Sequence, residues 1–322
     1  RAWCHPPDRP IVRTPPSARA TARAFPPMRD GVRLGLGGAA LGNLFSAVSD
    51  DEARAVIEHA LADGCATFDT APHYGNGLSE HRMGAVLRNL PRDSFSLSSK
   101  VGRLLRPDRG PRDENGYVDC LPFAQTWDYS AAGVRRSVED SLQRLGLARL
   151  DAVYVHDCDA VTHGSRYPAV LRQVLDEALP TQRQLQQAGL VRSVGLGVND
   201  VQVCLDVLHA SELDVLLLAG RYSLVDHSAL AGLLPLCTRK EVRIALGGVF
   251  NSGILATGVR AGGPARFDYA EAPVAMRERV AAVEDACEAM GVPLRAAALQ
   301  FPLAHPCIDV VLLGARSPAE WQ

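Results

Sequence analysis

The chain has 322 residues, of which 47% are hydrophobic and 22% are charged, and its formal net charge at pH 7 is −2. This near-neutral balance gives no strong field to recruit nucleic acid or an anionic membrane surface. No apolar run reaches the ~18 residues that a membrane-spanning helix needs. Length and composition therefore predict a soluble globular protein, built as two domains of ordinary size or as one large α/β barrel.

Neither the cysteines nor the first 28 residues show a pattern that indicates a particular kind of site. No two of the eight cysteines lie within four residues of each other, so the spacing typical of zinc or thioredoxin-type sites is absent. With no secretory signal peptide, we expect reduced thiols and a cytoplasmic protein. Residues 1–28 contain seven prolines and five arginines against one acidic residue. We expect them to be a disordered or non-native extension, with a transit peptide as the alternative, and residues 29–322 to form the folded unit.

Eight short apolar runs punctuate residues 29–322, and an amphipathic stretch follows almost every run. The runs are 32–37, 65–70, 94–100, 150–156, 191–198, 213–219, 242–247 and 308–314. Nearly continuous apolarity is typical of parallel strands that are buried on both faces. Eight strands alternating with helices predict a closed (β/α)8 TIM barrel.

The stretch between the first two runs shows how a helix is predicted. Ser49, with Glu52 three residues later, forms a capping box that marks a helix start. An apolar stripe over residues 56–61 predicts the buried face, and Gly64 predicts the helix end. Because a barrel of this kind places its active site at the carboxyl ends of the strands, residues there are the candidates for chemistry.

Three neighbouring strands end in residues that can move protons. Asp69 ends the second strand with Tyr74 shortly after it, and the third and fourth strands end in Lys100 and His156. Tyrosine has a pKa near 10, and an ammonium about 4 Å away would stabilise its phenolate by about 4 kcal/mol. We therefore predict that Lys100 brings the pKa of Tyr74 close to neutral. Asp69 would hold the charge on Lys100, while His156 would orient a substrate oxygen. This set suits hydride transfer to or from a carbonyl carbon, because one oxygen must then gain or lose a proton.

Three other interpretations explain less. Gly35, Gly37 and Ala40 have the spacing of a dinucleotide fingerprint, but no helix opens at the third residue, as a Rossmann unit requires. The histidines and acids of residues 156–163 suggest metal ligands, but adjacent strand residues face opposite sides. A glycosidase pair of carboxylates would leave the tyrosine and the lysine without a role. We therefore predict no metal.

The sequence resembles the aldo-keto reductase family over about residues 31–322. The matching motifs are Phe68–Ala71, Tyr74-Gly75, Ser79-Glu80, Gly84, Lys100, His156 and Gly314–Ser317. The family's catalytic tetrad of aspartate, tyrosine, lysine and histidine corresponds here to Asp69, Tyr74, Lys100 and His156. Within the family, the chain is similar to the branch that contains L-fucose dehydrogenase, D-threo-aldose 1-dehydrogenase and pyridoxal 4-dehydrogenase. That similarity rests on residues 37–43, 220–223 and 248–255 and on the long loop 102–129.

The resemblance implies NAD or NADP bound across the barrel mouth without a Rossmann domain. The residues expected at the cofactor are Gly38, Asp69, Asn199, Gly314, Ala315, Arg316 and Ser317. Asn199 would contact the carboxamide, and the last four would hold the phosphate end. Many members have a lysine and an arginine for the extra phosphate of NADP, whereas this chain has Gly314 and Glu320. The difference favours NAD and leaves both cofactors open.

The resemblance also implies where substrate binds. The expected substrate contacts are Trp127, Arg221, Tyr222 and Phe250. Gly247 stands where many members have a tyrosine that stacks on the nicotinamide. The chain ends where the family's final helix would begin, so we expect a barrel without that helix.

These observations predict an NAD(P)-dependent oxidoreductase that oxidises an aldose, such as L-fucose or a D-threo-aldose, at C1 to the lactone. An aldehyde or pyridoxal activity of the same family is one alternative. A nicotinamide-binding sensor or accessory subunit with little turnover is another. The expected partner is a small molecule rather than nucleic acid or a membrane, and the sequence does not indicate an oligomeric state.

Overall fold

A computed structural model describes Phe25 and residues 31–110, 112–113, 115–260, 262 and 265–322. Within these ranges, eight parallel strands close into a barrel, each paired with its neighbours in the chain and the last paired with the first. The strands are β1 (Leu34–Gly37), β2 (Thr67–Asp69), β3 (Ser96–Val101), β4 (Leu150–His156), β5 (Val191–Val198), β6 (Val215–Ala219), β7 (Arg243–Gly247) and β8 (Ile308–Leu313). The predicted (β/α)8 barrel is confirmed.

Helices surround the barrel. In the described ranges they are α1 (Asp50–Ala62), α2 (Leu78–Leu87), α3 (Ala131–Leu145), α4 (Ala160–His163), α5 (Tyr167–Gln173), α6 (Leu179–Gln187), α7 (Val201–Ala210), α8 (Leu233–Arg239), α9 (Ile254–Thr257), α10 (Val274–Ala289), α11 (Leu294–Leu303) and α12 (Pro318–Trp321). The predicted capping box starts α1, because the Glu52 N–H donates to Ser49 Oγ (3.2 Å) and the Ser49 N–H donates to Glu52 Oε2 (2.9 Å). None of these helices is both long and apolar enough to cross a membrane.

The strands form because both of their faces are apolar. All seven residues of β4 are buried, alternately towards the helices and towards the barrel axis. Below the catalytic end, the interior is filled by a separate cluster of side chains. Its members are Phe25, Ala152, Tyr154, Val215, Leu217, Ala245, Val310 and Leu312. The interior formed by these described residues is therefore a packed core and not a pore.

Phe25 is the one described residue from the segment that the sequence predicts to lie outside the fold. Its side chain is buried in the interior cluster, and its N–H donates to Asp309 Oδ2 (3.1 Å). The other oxygen of Asp309 accepts from Arg243 (2.7 Å). Phe25 thus packs with the barrel. The rest of residues 1–28 lies outside the described residues, where the predicted extension stays a prediction.

Two hairpins extend over the carboxyl ends of the strands, which we call the barrel mouth. The first hairpin pairs Arg103–Pro107 with Phe123–Trp127 between β3 and α3. Its loop is tied to the segment after β1, because the Phe45 N–H donates to the Gly116 carbonyl (2.9 Å). The second hairpin, residues 266–271 between α9 and α10, reaches the same segment from the other side. Both hairpins therefore narrow the entrance to the mouth.

Candidate active site

Lys100 lies near the end of β3 with its ammonium inside the mouth. Its Nζ donates to Asp69 Oδ2 (2.7 Å) and to the Thr70 carbonyl (2.9 Å). Ser98 Oγ donates to the other oxygen of Asp69 (2.7 Å). The Lys100 side chain is only 1% exposed and that of Asp69 5%. Each buried charge is therefore compensated by its partner, as burial of ions requires.

The outer face of β3 fixes the position of Lys100. Adjacent strand residues point to opposite faces, so Ser99 faces the helices, where its Oγ donates to Glu80 Oε1 (2.7 Å). Glu80 is fully buried on α2 and also accepts from Arg144 of α3. Two helices thus hold the strand that carries the lysine, which gives the Ser79-Glu80 motif a physical role.

Tyr74 stands over Lys100. The Lys100 Nζ lies 4.5 Å from the centre of the Tyr74 ring. The same ring meets His156 edge-on, with 6.2 Å between the ring centres. The structure therefore brings the four predicted side chains, those of Asp69, Tyr74, Lys100 and His156, to one end of the barrel. Their catalytic roles remain a prediction.

The pKa of Tyr74 departs from the sequence-based expectation. Burial raises this pKa well above its ordinary value, and the charges of Asp69 and Asp157 raise it further. The expected effect of Lys100 is offset because Asp69 is bound directly to the ammonium and opposes its field at the phenol. The predicted contact is present, whereas the pKa of Tyr74 is shifted upwards and not towards neutrality as predicted.

His156 ends β4 as a neutral imidazole. Burial lowers its pKa well below the ordinary value, and the charges of Lys100 and Arg103 lower it further. Its Nε2 lies 3.5 Å from Asp157 Oδ2, while its buried Nδ1 has no hydrogen-bond partner among the described residues. The Tyr129 hydroxyl donates to the His156 carbonyl (2.8 Å) and so fixes the strand end. A neutral ring held in this way can donate one N–H to a substrate oxygen.

Arg103, from the first hairpin, adds a second cation that sequence reasoning missed. Its guanidinium pairs with Asp157 (2.5 Å) and lies 3.8 Å from the centre of the Trp127 ring. Trp127 also stacks on Tyr129, with 5.8 Å between ring centres. Trp127, a predicted substrate contact, therefore supports Arg103 and the hairpin. An ion pair between distant residues leaves no local pattern by which the sequence could have indicated it.

Arg221, another predicted substrate contact, is engaged by protein groups. It pairs with Asp226 (3.2 Å) and with Asp268 of the second hairpin (2.9 Å), and it donates to the Asn199 carbonyl (2.6 Å). The pKa of Tyr269, the next residue of that hairpin, is raised by burial, while the nearby Asn199 side chain lowers it. Arg221 therefore fixes the second hairpin against the mouth, and its contact with substrate stays a prediction. Nothing in the local sequence of residues 266–271 indicates Tyr269.

Tyr222 and Phe250 also have packing roles. The Tyr222 ring is buried against Phe301 of α11, with 5.2 Å between ring centres. This contact packs Tyr222 against the helical layer, and its contact with substrate stays a prediction. Phe250 is half-buried in the turn after β7 and packs against the apolar core. Aromatic rings bury their apolar bodies wherever the packing allows. A prediction that aromatic residues near the mouth contact a ligand therefore names too many of them.

The ends of β7 and β8 fit the groups of a nicotinamide dinucleotide. A Cβ placed at Gly247 or Gly314 would make only ordinary van der Waals contact, 3.6 Å from Ala219 Cβ or 3.9 Å from Ala40 Cβ, so close packing does not require a glycine at either position. Arg316 adds a cation, although Glu320 accepts from both its backbone N–H (2.9 Å) and its guanidinium (2.7 Å). With the amide of Asn199, these donors suit the phosphates and the carboxamide of such a cofactor.

Three further predicted cofactor residues are mainly structural. At Gly38 a Cβ would lie 2.4 Å from Ser79 Oγ, so this glycine is required for close packing on α2. Ala315 is buried, and the Ser317 side chain caps α12 by accepting from the Glu320 N–H. Packing accounts for these three residues, and their contact with a cofactor stays a prediction.

The chain belongs to the aldo-keto reductase family, a class of NAD(P)-dependent oxidoreductases. The family model described as "Aldo/keto reductase family" matches residues 33–322, nearly the whole described barrel. The closed barrel and the four side chains at its mouth are the features that the resemblance in sequence implied. The predicted family is confirmed.

Two relatives place the chain in the predicted branch. It is 42% identical over 301 residues to pyridoxal 4-dehydrogenase of Microbacterium luteolum, covering 89% of this chain and 86% of that protein. It is 38% identical over 314 residues to D-threo-aldose 1-dehydrogenase of Pseudomonas sp, covering 95% and 90%. Among solved structures, glycerol dehydrogenase AKR11B4 from Gluconobacter oxydans superimposes with a TM-score of 0.68 at 23% identity, covering 90% of this chain and 84% of that one. That likeness supports the fold.

Proposed function

We propose that this enzyme is an NAD(P)-dependent aldose dehydrogenase that oxidises a sugar such as L-fucose or a D-threo-aldose at C1 to the lactone. The observation that carries the proposal is the position of Tyr74 between the Lys100 ammonium, 4.5 Å from its ring centre, and the His156 ring, 6.2 Å away. Similarity to a D-threo-aldose 1-dehydrogenase supports the choice of substrate class.

Each of the four side chains has a separate role in the oxidation. Tyr74, as phenolate, takes the proton of the C1 hydroxyl while His156 donates an N–H to the same oxygen. The C1–H electron pair leaves with its hydrogen as hydride, so C1 becomes the carbonyl carbon of the lactone. Bound NAD⁺ or NADP⁺ supplies the hydride acceptor. Lys100 stabilises the phenolate, and Asp69 holds Lys100 in place (2.7 Å).

For the cofactor we propose a preference for NAD. Glu320 already engages Arg316, which is the cation nearest in sequence to the expected phosphate site. Its carboxylate would also repel the additional phosphate of NADP. NADP remains the second candidate because Arg316 supplies the charge that this phosphate needs.

Pyridoxal is the second candidate substrate, favoured by the 42% identity to pyridoxal 4-dehydrogenase. Pyridoxal and aldoses share one chemical feature: each closes to a cyclic hemiacetal in water. Removal of one proton and one hydride from either hemiacetal gives a lactone. The proposed roles of Tyr74 and His156 therefore apply to both substrates.

Two broader features complete the proposal. Residues 29–322 act as a single catalytic unit, because the predicted site lies wholly within one barrel. The enzyme works in the cytoplasm, since all seven described cysteines are buried free thiols, as expected in a reducing compartment.

A substrate panel tests the proposal. Purified protein is mixed with NAD⁺ or NADP⁺ and with L-fucose, D-arabinose, D-galactose or pyridoxal, and cofactor reduction is followed by absorbance. Lactone formation is then checked by mass spectrometry. We expect turnover with at least one aldose. Reduction of the cofactor with pyridoxal but with none of the sugars would favour pyridoxal as the substrate. Binding of the cofactor without its reduction by any of these compounds would favour a sensor.

A further inference from the structure

We propose that His73 selects substrates with a hydroxyl group on the carbon next to the reacting carbon, by accepting a hydrogen bond from that hydroxyl through Nε2. The inference rests on the proposed sugar oxidation and adds a specificity-determining residue to it. Sequence reasoning passed over His73, which immediately precedes Tyr74.

His73 lies among the side chains that would surround the substrate. Its ring centre is 5.7 Å from that of His156, 6.1 Å from that of Tyr74 and 5.1 Å from that of Tyr117. Tyr117 in turn stacks on Tyr74, with 5.9 Å between the ring centres. His73 and Tyr74 are only partly buried, whereas Tyr117 and His156 are buried. The histidine therefore borders the position where Tyr74 and His156 converge on a substrate oxygen.

A chain of hydrogen bonds fixes the orientation of the amide that holds His73. Asn76 Nδ2 donates to the Phe123 carbonyl (2.5 Å), which leaves Asn76 Oδ1 to accept from Gln125 Nε2 (2.7 Å). The opposite atom, Gln125 Oε1, accepts from Arg103 (3.0 Å). A carbonyl at one end and a guanidinium at the other thus define which atom of Gln125 is the oxygen.

This orientation determines the tautomer of His73. Its Nδ1 lies 2.9 Å from Gln125 Oε1, an atom that can only accept, so Nδ1 must carry the proton. Burial lowers the pKa of His73 to about 3, and the charge of Arg103 contributes to the shift. The ring is therefore neutral under ordinary assay conditions, and Nε2 carries a lone pair rather than a hydrogen.

An acceptor at this position distinguishes sugars from simpler aldehydes. In an aldose the C2 hydroxyl lies one bond to the side of C1, whose oxygen is held by Tyr74 and His156. That hydroxyl can donate to Nε2 of His73. A substrate without the C2 hydroxyl covers Nε2 of His73 but gives it no hydrogen bond. This unpaired acceptor lowers kcat/KM by about tenfold or more.

The test compares L-fucose with 2-deoxy-L-fucose under saturating cofactor. We expect wild-type kcat/KM to favour L-fucose by about tenfold or more. In His73→Phe, which keeps an aromatic ring and removes the acceptor, we expect the ratio to fall towards one, because L-fucose loses its hydrogen-bond acceptor and 2-deoxy-L-fucose no longer covers an unpaired one. His73→Gln, which retains an acceptor, should restore part of the preference. His209→Phe replaces an exposed histidine at the end of α7 and should leave the ratio unchanged.

The outcomes separate this inference from the proposed function. If wild type oxidises both sugars with equal kcat/KM, the inference fails and the proposed function stands. If His73→Phe retains the wild-type ratio, the inference also fails. If neither sugar is oxidised, the same comparison is made with an aldose that is oxidised in the substrate panel and with its 2-deoxy analogue; if no aldose is oxidised, both the inference and the proposed function are overturned. Equal kcat/KM values in wild type overturn the inference without any variant, and His73→Gln tests the role of His73 if His73→Phe does not fold.

Discussion

The ammonium of Lys100 lies 4.5 Å from the centre of the Tyr74 ring and, in the same position, 2.7 Å from an oxygen of Asp69. At the Tyr74 hydroxyl, the positive charge of Lys100 and the negative charge of Asp69 therefore nearly cancel. Burial therefore outweighs the cation, and the pKa of Tyr74 is raised well above its ordinary value. The arrangement favours a protonated phenol in the free enzyme.

Sugar oxidation should consequently accelerate with rising pH. The base in this direction is the phenolate, and a raised pKa means that this form is lost as the pH falls from strongly alkaline values. We expect kcat/KM for oxidation to rise through pH 9 without a plateau near neutrality. Carbonyl reduction, which needs the phenol, should not show this rise. A profile for oxidation that levels off near pH 7 would show that the phenol is already ionised there.

Tyr74→Phe removes the group that moves the proton and leaves the ring that packs on Tyr117 (5.9 Å). We expect kcat to fall by about 10²–10⁴-fold, the usual contribution of a positioned acid or base. Cofactor affinity, measured by quenching of intrinsic fluorescence, should stay within about threefold of wild type. Full activity in this variant would contradict the assignment of Tyr74.

Asp69→Asn leaves the Lys100 charge buried without its partner. We expect this variant to lose about 3–5 kcal/mol in the free energy of unfolding, measured by urea denaturation. Lys100→Met alone should also destabilise the protein. The double variant should lose clearly less than the two single losses added together, because it buries no unpaired charge. Simple additivity would mean that the two residues do not stabilise each other.

Glu320→Gln should shift cofactor preference towards NADP. The substitution removes a negative charge and releases the Arg316 guanidinium, which Glu320 now binds at 2.7 Å. We expect the ratio of Kd values to move in favour of NADP by about tenfold, which corresponds to about 1.4 kcal/mol. The matched control is Glu288→Gln, which removes the charge of an exposed glutamate in the last turn of α10. An unchanged ratio would place the additional phosphate elsewhere.

Arg221→Ala distinguishes the observed role of this residue from the predicted one. Loss of its bond to Asp268 (2.9 Å) should speed hydrogen exchange in residues 265–271, with little change elsewhere. Arg221→Lys should show an intermediate effect, because one ammonium cannot reproduce several guanidinium bonds. If exchange stays constant and only the KM for sugar rises, the original prediction of a substrate contact is restored.

Much of the site could be predicted because it depends on strand ends. Asp69, Lys100 and His156 follow or end apolar runs, and the geometry of a parallel barrel then brings them to the same mouth. Tyr74 could be added because its loop is short. These positions are fixed by the backbone alone.

The remaining features depend on distances between side chains in long loops. The role of Arg221 is determined by Asp268, and the tautomer of His73 is determined by Gln125. Neither partner is near in sequence, so no periodicity or spacing indicates the pairing. The pKa of Tyr74 was predicted in the wrong direction because the effect of the cation was considered without the cost of burial.

The burial of Phe25 at the end of the barrel opposite the mouth has a practical consequence. A shortened protein beginning at Met28 would lose Phe25 from the interior cluster, together with its hydrogen bond to Asp309. Because the chemistry takes place at the other end, such a shortened protein would be expected to fail by unfolding and aggregating at lower temperature rather than by altered turnover. Recombinant production should therefore retain the residues upstream of Met28.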